Sequence, residues 1–329
     1  MASMTTRAAV LHTPGTDWEI TELDLDPPKE YEVLIRYKAA GLCHSDEHIR
    51  REGGSHIRFP LVGGHEGAGI VEAVGSGVTR VQPGDHVVTS YIPACGKCRY
   101  CSTGHQNLCD RGLYAGVGCL QDETFRFHKN GEDFGGFCAL GTFSDHTVVS
   151  EYSCVGINAV QGARYAGATR VIAIDPNPFK LEMAKRLGAT HGFTNADEAR
   201  EQLVDLTRGQ MADLTVVTVG VLDAEITADA VSLIGKAGRV VLTSVSRADE
   251  HSISLTGSPM VGWHKRIQGS LAGGSNPIYE MPNLLGLYKS GHLKLDEIIT
   301  QRYSLEQVNE GYHDLLAGKN VRGVIIHES

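Results

Sequence analysis

In CGKCRYCSTGHQNLC, Cys95, Cys98, Cys101 and Cys109 are separated by two, two and seven residues. Four soft thiolates in one short glycine-containing loop can close a tetrahedral shell around zinc and leave no coordination position open. Such a metal folds a lobe and takes no part in a reaction. Two accounts compete. One is an iron–sulfur cluster, which short cysteine spacings also hold; the other is four buried free thiols, whose convergence in one loop by chance is improbable. The spacing favours structural zinc.

A second constellation has the makings of an open metal site. GLCHSDEH supplies Cys43, His44, Ser45, Asp46 and His48, and GGHEGAGIV supplies His65 and Glu66. A catalytic zinc takes about three protein ligands and keeps a fourth position for substrate oxygen. Cys43 and His65 have the right softness. A metal-bound imidazole wants a carboxylate or carbonyl on its other nitrogen, and Asp46 could serve. Ser45 and His48 could carry a proton towards solvent. Taken singly, each has a plainer reading as a core Cys–His pair or a polar loop. Together, on two short glycine-bounded segments, they favour chemistry.

These residues need a scaffold, and the chain changes rhythm midway. From Arg7 to about Tyr152, runs such as EVLIRYKAAG, GAGIVEAVG and DHVVTSY are short, β-rich and bounded by Gly or Pro. This half predicts an antiparallel, barrel-like β domain. After Gly156 helix and strand alternate. INAVQGARYAGA reads as a helix and TRVIAID as a buried strand ending in Asp175. NPFKLEMAKRLGA, with Phe179, Met183 and Leu187 at i, i+4 and i+8, follows as a helix. Then come HGF, the helix ADEAREQLVDLTRG, the strand DLTVVTVG, a helix through Leu233 and the strand GRVVLTSV. The pattern predicts a parallel sheet with crossover helices. From about Pro277 the text turns helical and closes on the strand VRGVIIH, and these helices could pack back on the first half.

The bulk properties exclude several classes. A net charge of −9 and a pI near 5.9 argue against a nucleic-acid binder, which would show a basic field. No apolar run approaches the roughly 18 residues of a membrane span. The start, MASMTTRAAVLHTPG, lacks the layout of a signal peptide, and Met4 could be the natural start. Eight cysteines then suggest thiolates and metal rather than disulfides. The expectation is a soluble cytoplasmic protein with room for two domains.

GLCHSDEH, GGHEGAGIVEAVG, VQPGDHVV and the four-cysteine lobe, in this order, resemble the zinc-dependent medium-chain alcohol dehydrogenases. The resemblance runs on through GSLAGGSNP, LKLDEIIT and VNEGYHDLLAGKNVRGVI. The wording is nearest to the bacterial nitrosoaniline-dependent group, whose members hold a nicotinamide cofactor tightly and pass electrons to a separate acceptor. The resemblance implies a GroES-like β-barrel catalytic domain over 1–155 and a Rossmann doubly wound parallel sheet over 156–271. Residues 272–329 would return to the catalytic side. It makes Cys43 and His65 catalytic-zinc ligands with Glu66 close to the metal, and puts Ser45 and His48 in a proton relay. His44 would lie beside the cofactor pyrophosphate, with Arg322 facing it. Val219, Gly220 and Ser270 would line NAD. Asp175 matches the acidic residue that binds the adenosine ribose and favours NAD over NADP, with Lys180 as a second ribose contact. Plainer readings stand beside these: Asp175 as a helix cap with Pro176 in the first turn, Lys180 solvated, Arg322 a surface residue. Alcohol dehydrogenase is itself the standing example of a Cys2His catalytic zinc, so agreement with it adds no independent weight. The implied reaction is hydride transfer from an alcohol to NAD+, in a homo-oligomer (dimer or tetramer). A thiol-dependent formaldehyde dehydrogenase is the same-class rival, and an inactive zinc-stabilised scaffold the rival from another class.

The pattern breaks at one place. Between the positions of Val155 and Gly156 the family carries a segment that this chain lacks. It would hold the third zinc ligand (a cysteine), a connecting helix, the first Rossmann strand and most of G-x-G-x-x-G. Gly156 matches the last glycine of that fingerprint. In a doubly wound sheet the first strand lies in the middle, so its loss leaves neighbouring backbone groups unpaired, each costing about 1–3 kcal/mol. Cys154 lies at the junction but precedes the connector, and Cys119 and Cys138 have no metal-like spacing and read as buried thiols. Three readings stand: residues that this sequence omits, a true deletion with a damaged site, or replacement by another segment, which nothing in the sequence indicates.

Overall fold

The computed structural model describes residues 3–54, 56–153, 159–244, 253 and 255–328. Gly156, Cys154 and Val155 lie outside the described residues. The chain divides into two units, Met1–Ile157 with Ser275–Ser329, and Asn158–Gly274.

In the first unit, β1 (Met4–Leu11), β2 (Glu19–Leu25), β7 (Phe127–Lys129), β8 (Glu132–Gly136) and β4 (Leu61–Val62) close into a barrel in that order. Its pairings are antiparallel except that of β4 with β8, which is parallel. Beside it runs a sheet in the order β15 (Ile299–Tyr303), β16 (Arg322–Ile326), β3 (Glu32–Gly41), β5 (Gly67–Val74), β6 (His86–Val88), with β9 (His146–Ser150) also on β3. Because β3 has neighbours on both edges, it reads as the near-continuous apolar run VLIRY, of which Val33, Leu34, Ile35 and Tyr37 are buried.

One core cluster ties the two ends of the chain together. Trp18, Leu42 and Phe143 pack with Tyr303, Tyr312 and Ile325. The Trp18 and Phe143 rings meet edge to face at 5.8 Å. Asn309 accepts from the Trp18 backbone N–H at 3.0 Å and donates to its carbonyl at 2.9 Å. Each fully buried large apolar side chain contributes about 1.5–3 kcal/mol. The helices of this unit are α1 (His44–Glu52), α2 (Arg99–Ser102), α3 (Gly112–Val117), α9 (Pro277–Lys289) and α10 (Val308–Leu316).

The second unit holds α4 (Ala159–Tyr165), α5 (Pro178–Arg186), α6 (Ala196–Thr207), α7 (Ala224–Leu233) and α8 (Gly257–Gly262) around strands that are all paired in parallel. These strands lie in two separate pieces. β10 (Ile172–Ile174) pairs with β11 (His191–Phe193), and β12 (Ala212–Val217), β13 (Ile234–Leu242) and β14 (Arg266–Gly269) follow one another. Among the described residues no strand joins β10 to β12. A doubly wound sheet of order 3-2-1-4-5-6 that lacks its first strand leaves this pair and this triplet. The cap of α5 also differs from the sequence reading. Asn177, not Asp175, is the N-cap, accepting from the Phe179 N–H at 3.0 Å, and Pro178, not Pro176, starts the helix. Asp175 instead accepts from the Asn177 N–H at 2.8 Å, a local turn that the Asp-Pro-Asn-Pro run permits.

Candidate metal centres

The lobe from Cys95 to Cys109 is built of tight turns. Cys98 caps α2, its sulfur accepting from the Cys101 N–H at 3.4 Å. The chain turns back at Gly104, whose φ of +86° suits glycine, and the Cys109 N–H closes on the Gln106 carbonyl at 3.1 Å. All four sulfurs lie within 4.8 Å of one another, with Cys95 and Cys101 4.0 Å apart. Zn–S bonds of about 2.3 Å in a tetrahedron require sulfurs about 3.8 Å apart. The donor set therefore fits one ion, whereas a cluster spreads its ligands over several irons. Burial raises the Cys98 thiol, but the N–H groups of Cys101 and Asp110 outweigh it and lower it to about 7. Burial pushes Cys101 up to about 12. A cation among them would favour the thiolate form of all four.

The second centre forms where β3 ends and β5 begins. The Gly41 N–H donates to the Glu66 carbonyl at 2.9 Å, which brings Cys43 beside His65 and Glu66. The approach is close enough that a Cβ at Gly41 would lie 2.3 Å from the Glu66 carboxylate. Cys43 sits at the N-cap of α1 in extended backbone and makes no capping bond. Its sulfur, a His65 ring nitrogen and a Glu66 oxygen lie within 4.8 Å of one another.

Asp46, fully buried, holds this arrangement from behind. Its Oδ1 accepts from the Gly64 N–H at 2.8 Å, and its Oδ2 lies 3.0 Å from His65 Nδ1. That leaves His65 Nε2 as the nitrogen for a metal. Burial disfavours a charged His65, but Asp46 overturns this and the ring's pKa is raised well above the usual value. A metal at Nε2 must displace a proton from this ring, and the Asp46 carboxylate beside Nδ1 then faces the cation instead. Gly64, at φ +85°, has no room for a side chain: a Cβ there would lie 2.3 Å from Thr142 Oγ1.

Of the other residues named from sequence, Ser45 Oγ lies 3.6 Å from the Cys43 sulfur. His44, Ser45 and His48 share the first two turns of α1, with Ser45 and His48 on one face. Arg322, on β16, donates through Nη1 to Glu66 Oε2 at 3.0 Å and to the Leu42 carbonyl at 3.0 Å. Three features of this centre carry no local signature in the sequence: the Arg322–Glu66 pair, and the rings of Phe137 and Tyr91. Those rings stand edge-on to His65 at 5.1 and 6.0 Å. Cys119 and Cys138 are free thiols, Cys138 pushed up to about 12 mainly by burial.

In the second unit Asp175 follows the end of β10, Val219 and Gly220 follow β12, and Ser270 follows β14. All stand at carboxyl ends of parallel strands, the side on which such sheets bind ligands. Lys180 is half-buried on α5.

A GroES-like unit with two cysteine-bearing candidate metal centres, in one chain with a parallel α/β unit, defines a zinc-binding dehydrogenase of the medium-chain type. The Alcohol dehydrogenase GroES-like domain family matches residues 29–159 and the Zinc-binding dehydrogenase family residues 154–290. The chain is 48% identical to the NDMA-dependent alcohol dehydrogenase of Amycolatopsis methanolica, over 99% of this chain and 100% of that one. It is 32% identical to the S-(hydroxymethyl)glutathione dehydrogenase of Photobacterium damsela subsp. piscicida, over 98% and 100%. A crystal structure of an alcohol dehydrogenase zinc-binding domain protein from Burkholderia ambifaria superposes with a TM-score of 0.89 at 26% identity, over 98% of this chain and 99% of that one. The chain belongs to the zinc-dependent alcohol dehydrogenase family. The match to the Amycolatopsis protein runs over 371 positions against 329 residues here, so several tens of that relative's positions have no counterpart in this chain. No helix among the described residues is long and apolar enough to cross a membrane.

Proposed function

We propose that the chain oxidises a primary alcohol to its aldehyde at a zinc held by Cys43, His65 and Glu66, with NAD+ taking the hydride and one proton released. The observation that carries this is the Cys–His–Glu donor set drawn together over buried Asp46. Zinc, when bound, acts as a Lewis acid that eases loss of the alcohol's hydroxyl proton, and NAD+ accepts the hydride. The chain's own residues do the rest. Asp46 fixes the His65 ring through Nδ1. Arg322 holds the Glu66 carboxylate in place. Ser45 takes the hydroxyl proton and His48, one turn on, hands it to solvent. Asp175 accepts hydrogen bonds from the adenosine ribose, and Lys180, Val219, Gly220 and Ser270 line the coenzyme in the second unit. Cys95, Cys98, Cys101 and Cys109 keep a second zinc as a fold element.

The higher identity to the alcohol dehydrogenase than to the S-(hydroxymethyl)glutathione dehydrogenase favours a free alcohol as substrate, and the former's NDMA dependence favours a separate electron acceptor. Seven described cysteines, all unpaired, suit a cytoplasmic setting. A homo-oligomer is the expected assembly. The test measures zinc and bound NAD per purified chain alongside alcohol oxidation, with and without a low-molecular-weight thiol. About two zinc ions, bound NAD and thiol-independent turnover support the reading. Cys43→Ala should then hold about one zinc and lose turnover. One zinc and no NAD in the unsubstituted chain would make it a zinc-stabilised scaffold.

A further inference from the structure

The two pieces of sheet in the second unit end on facing grounds. Ile172 of β10, Phe193 of β11 and Ala212 of β12 all pack on one cluster made by Ala199 and Leu203 of α6 and Leu233 of α7. β10 and β12, each without a strand partner on one edge among the described residues, therefore rest against the same pair of helices. Strands of an all-parallel sheet are normally covered on both faces and read as apolar throughout. Here Ile174 on β10 and Leu214 and Val216 on β12 are 39%, 52% and 41% exposed. Edges that pair with no strand among the described residues, beside exposed β-branched and leucine side chains, are the surface that an added strand covers.

We infer that the second unit holds an acceptor slot between β10 and β12 for one extended apolar segment running parallel to both. The occupant is a separate peptide strand rich in Val and Ile, with the chemistry of the interior strand that this sheet order lacks. Two observations on different grounds select it. Among the described residues the order of the paired strands puts no strand at the middle position of a doubly wound sheet, and the nearly half-identical relative carries several tens of residues with no counterpart in this chain. The two strands that border the slot are described residues of one unit, and it does not depend on the catalytic reading.

The 329-residue chain, with its zinc content measured as a check on the first unit, is titrated with a fluorescein-labelled synthetic peptide. The peptide copies the segment of the Amycolatopsis relative that this chain lacks, and a scrambled peptide of equal composition is the control. Saturable one-to-one binding of the copy and not of the scramble is expected, with a rise in melting temperature of several degrees at saturation. Val216→Lys and Ile174→Lys, one on each edge, should each weaken binding at least about tenfold while leaving zinc content unchanged. Three results would overturn the slot. One is absence of binding by a zinc-loaded chain, another is equal binding of the scrambled peptide, and the third is a stable dimer that refuses the peptide because a second copy covers these edges.

Discussion

Arg322 Nη1 donates to Glu66 Oε2 at 3.0 Å across 256 residues of chain, and the same nitrogen holds the Leu42 carbonyl. The last strand thus reaches the junction at which Cys43, His65 and Glu66 meet. The guanidinium both orders Glu66 and sets a positive charge beside a site that suits a cation.

Replacing Arg322 with Gln removes that charge and keeps a hydrogen-bond donor. Zinc in the Cys43–His65–Glu66 centre should be retained roughly tenfold more tightly, on the scale of one nearby unit charge partly exposed to solvent. Competition with a chromogenic chelator measures this. Looser retention would show that Arg322 acts by placing Glu66 and that its charge matters little.

Asp46→Asn keeps the shape of the buried side chain and removes its charge. The His65 ring then loses the partner that favours a cation on its far nitrogen. Zinc affinity at this centre should fall about 10–100-fold while the four-cysteine lobe keeps its metal. Metal content after graded dialysis separates the two.

Cys98→Ser leaves three thiolates in the lobe. The chain should lose one zinc on mild chelation, and limited proteolysis should cut between Cys95 and Cys109 first, because the lobe's turns then lack the ion that gathers them. A lobe that stays protected with three thiolates would mean that its hydrogen-bonded turns suffice.

Acid stability should depend on Asp145. Burial raises its pKa, but hydrogen bonds from His327 Nδ1, at 3.2 Å, and Arg7 Nε, at 3.0 Å, outweigh this and lower it. A carboxyl whose folded pKa is depressed contributes stability that is complete above its unfolded pKa of about 3.9. That stability is lost as pH falls through the depressed value. His327→Gln should therefore move the acid-unfolding midpoint upward, read by circular dichroism between about pH 5 and pH 2. An unchanged midpoint would mean that Arg7 alone sustains the ionised Asp145.

How much of this was legible in the sequence follows from distance along the chain. The four-cysteine lobe could be read directly because its ligands fall within one loop. Cys43 and His65 could be proposed as partners from their residue types, yet what joins them is the pairing of β3 with β5, where Ala40 faces Gly67. Nothing local marks Phe137 or Tyr91 as neighbours of His65, and nothing marks Arg322 as the partner of Glu66. Those contacts depend on tertiary placement. The barrel was expected to be antiparallel throughout, but β4 and β8 run parallel, since strands this short carry no signal of direction. The assignment of the cap before α5 to Asp175 failed because Asp-Pro-Asn-Pro offers two equivalent cap-and-proline pairs, and local turn geometry selects the second.

The first unit is assembled from both ends of the chain, with β16 paired to β3 through Ala39, Ala40 and Gly41. During synthesis, then, the barrel and both thiol centres emerge from the ribosome long before the strand that covers this part of β3. Tyr312, Arg322 and His327 lie more than 150 residues further along the chain than β9. Until β16 is made, Glu66 lacks the Arg322 guanidinium and this part of β3 lacks its partner strand. A nascent chain is therefore exposed to misassociation along this edge until β16 emerges, and loss of β16 would remove the strand that pairs with Ala39, Ala40 and Gly41.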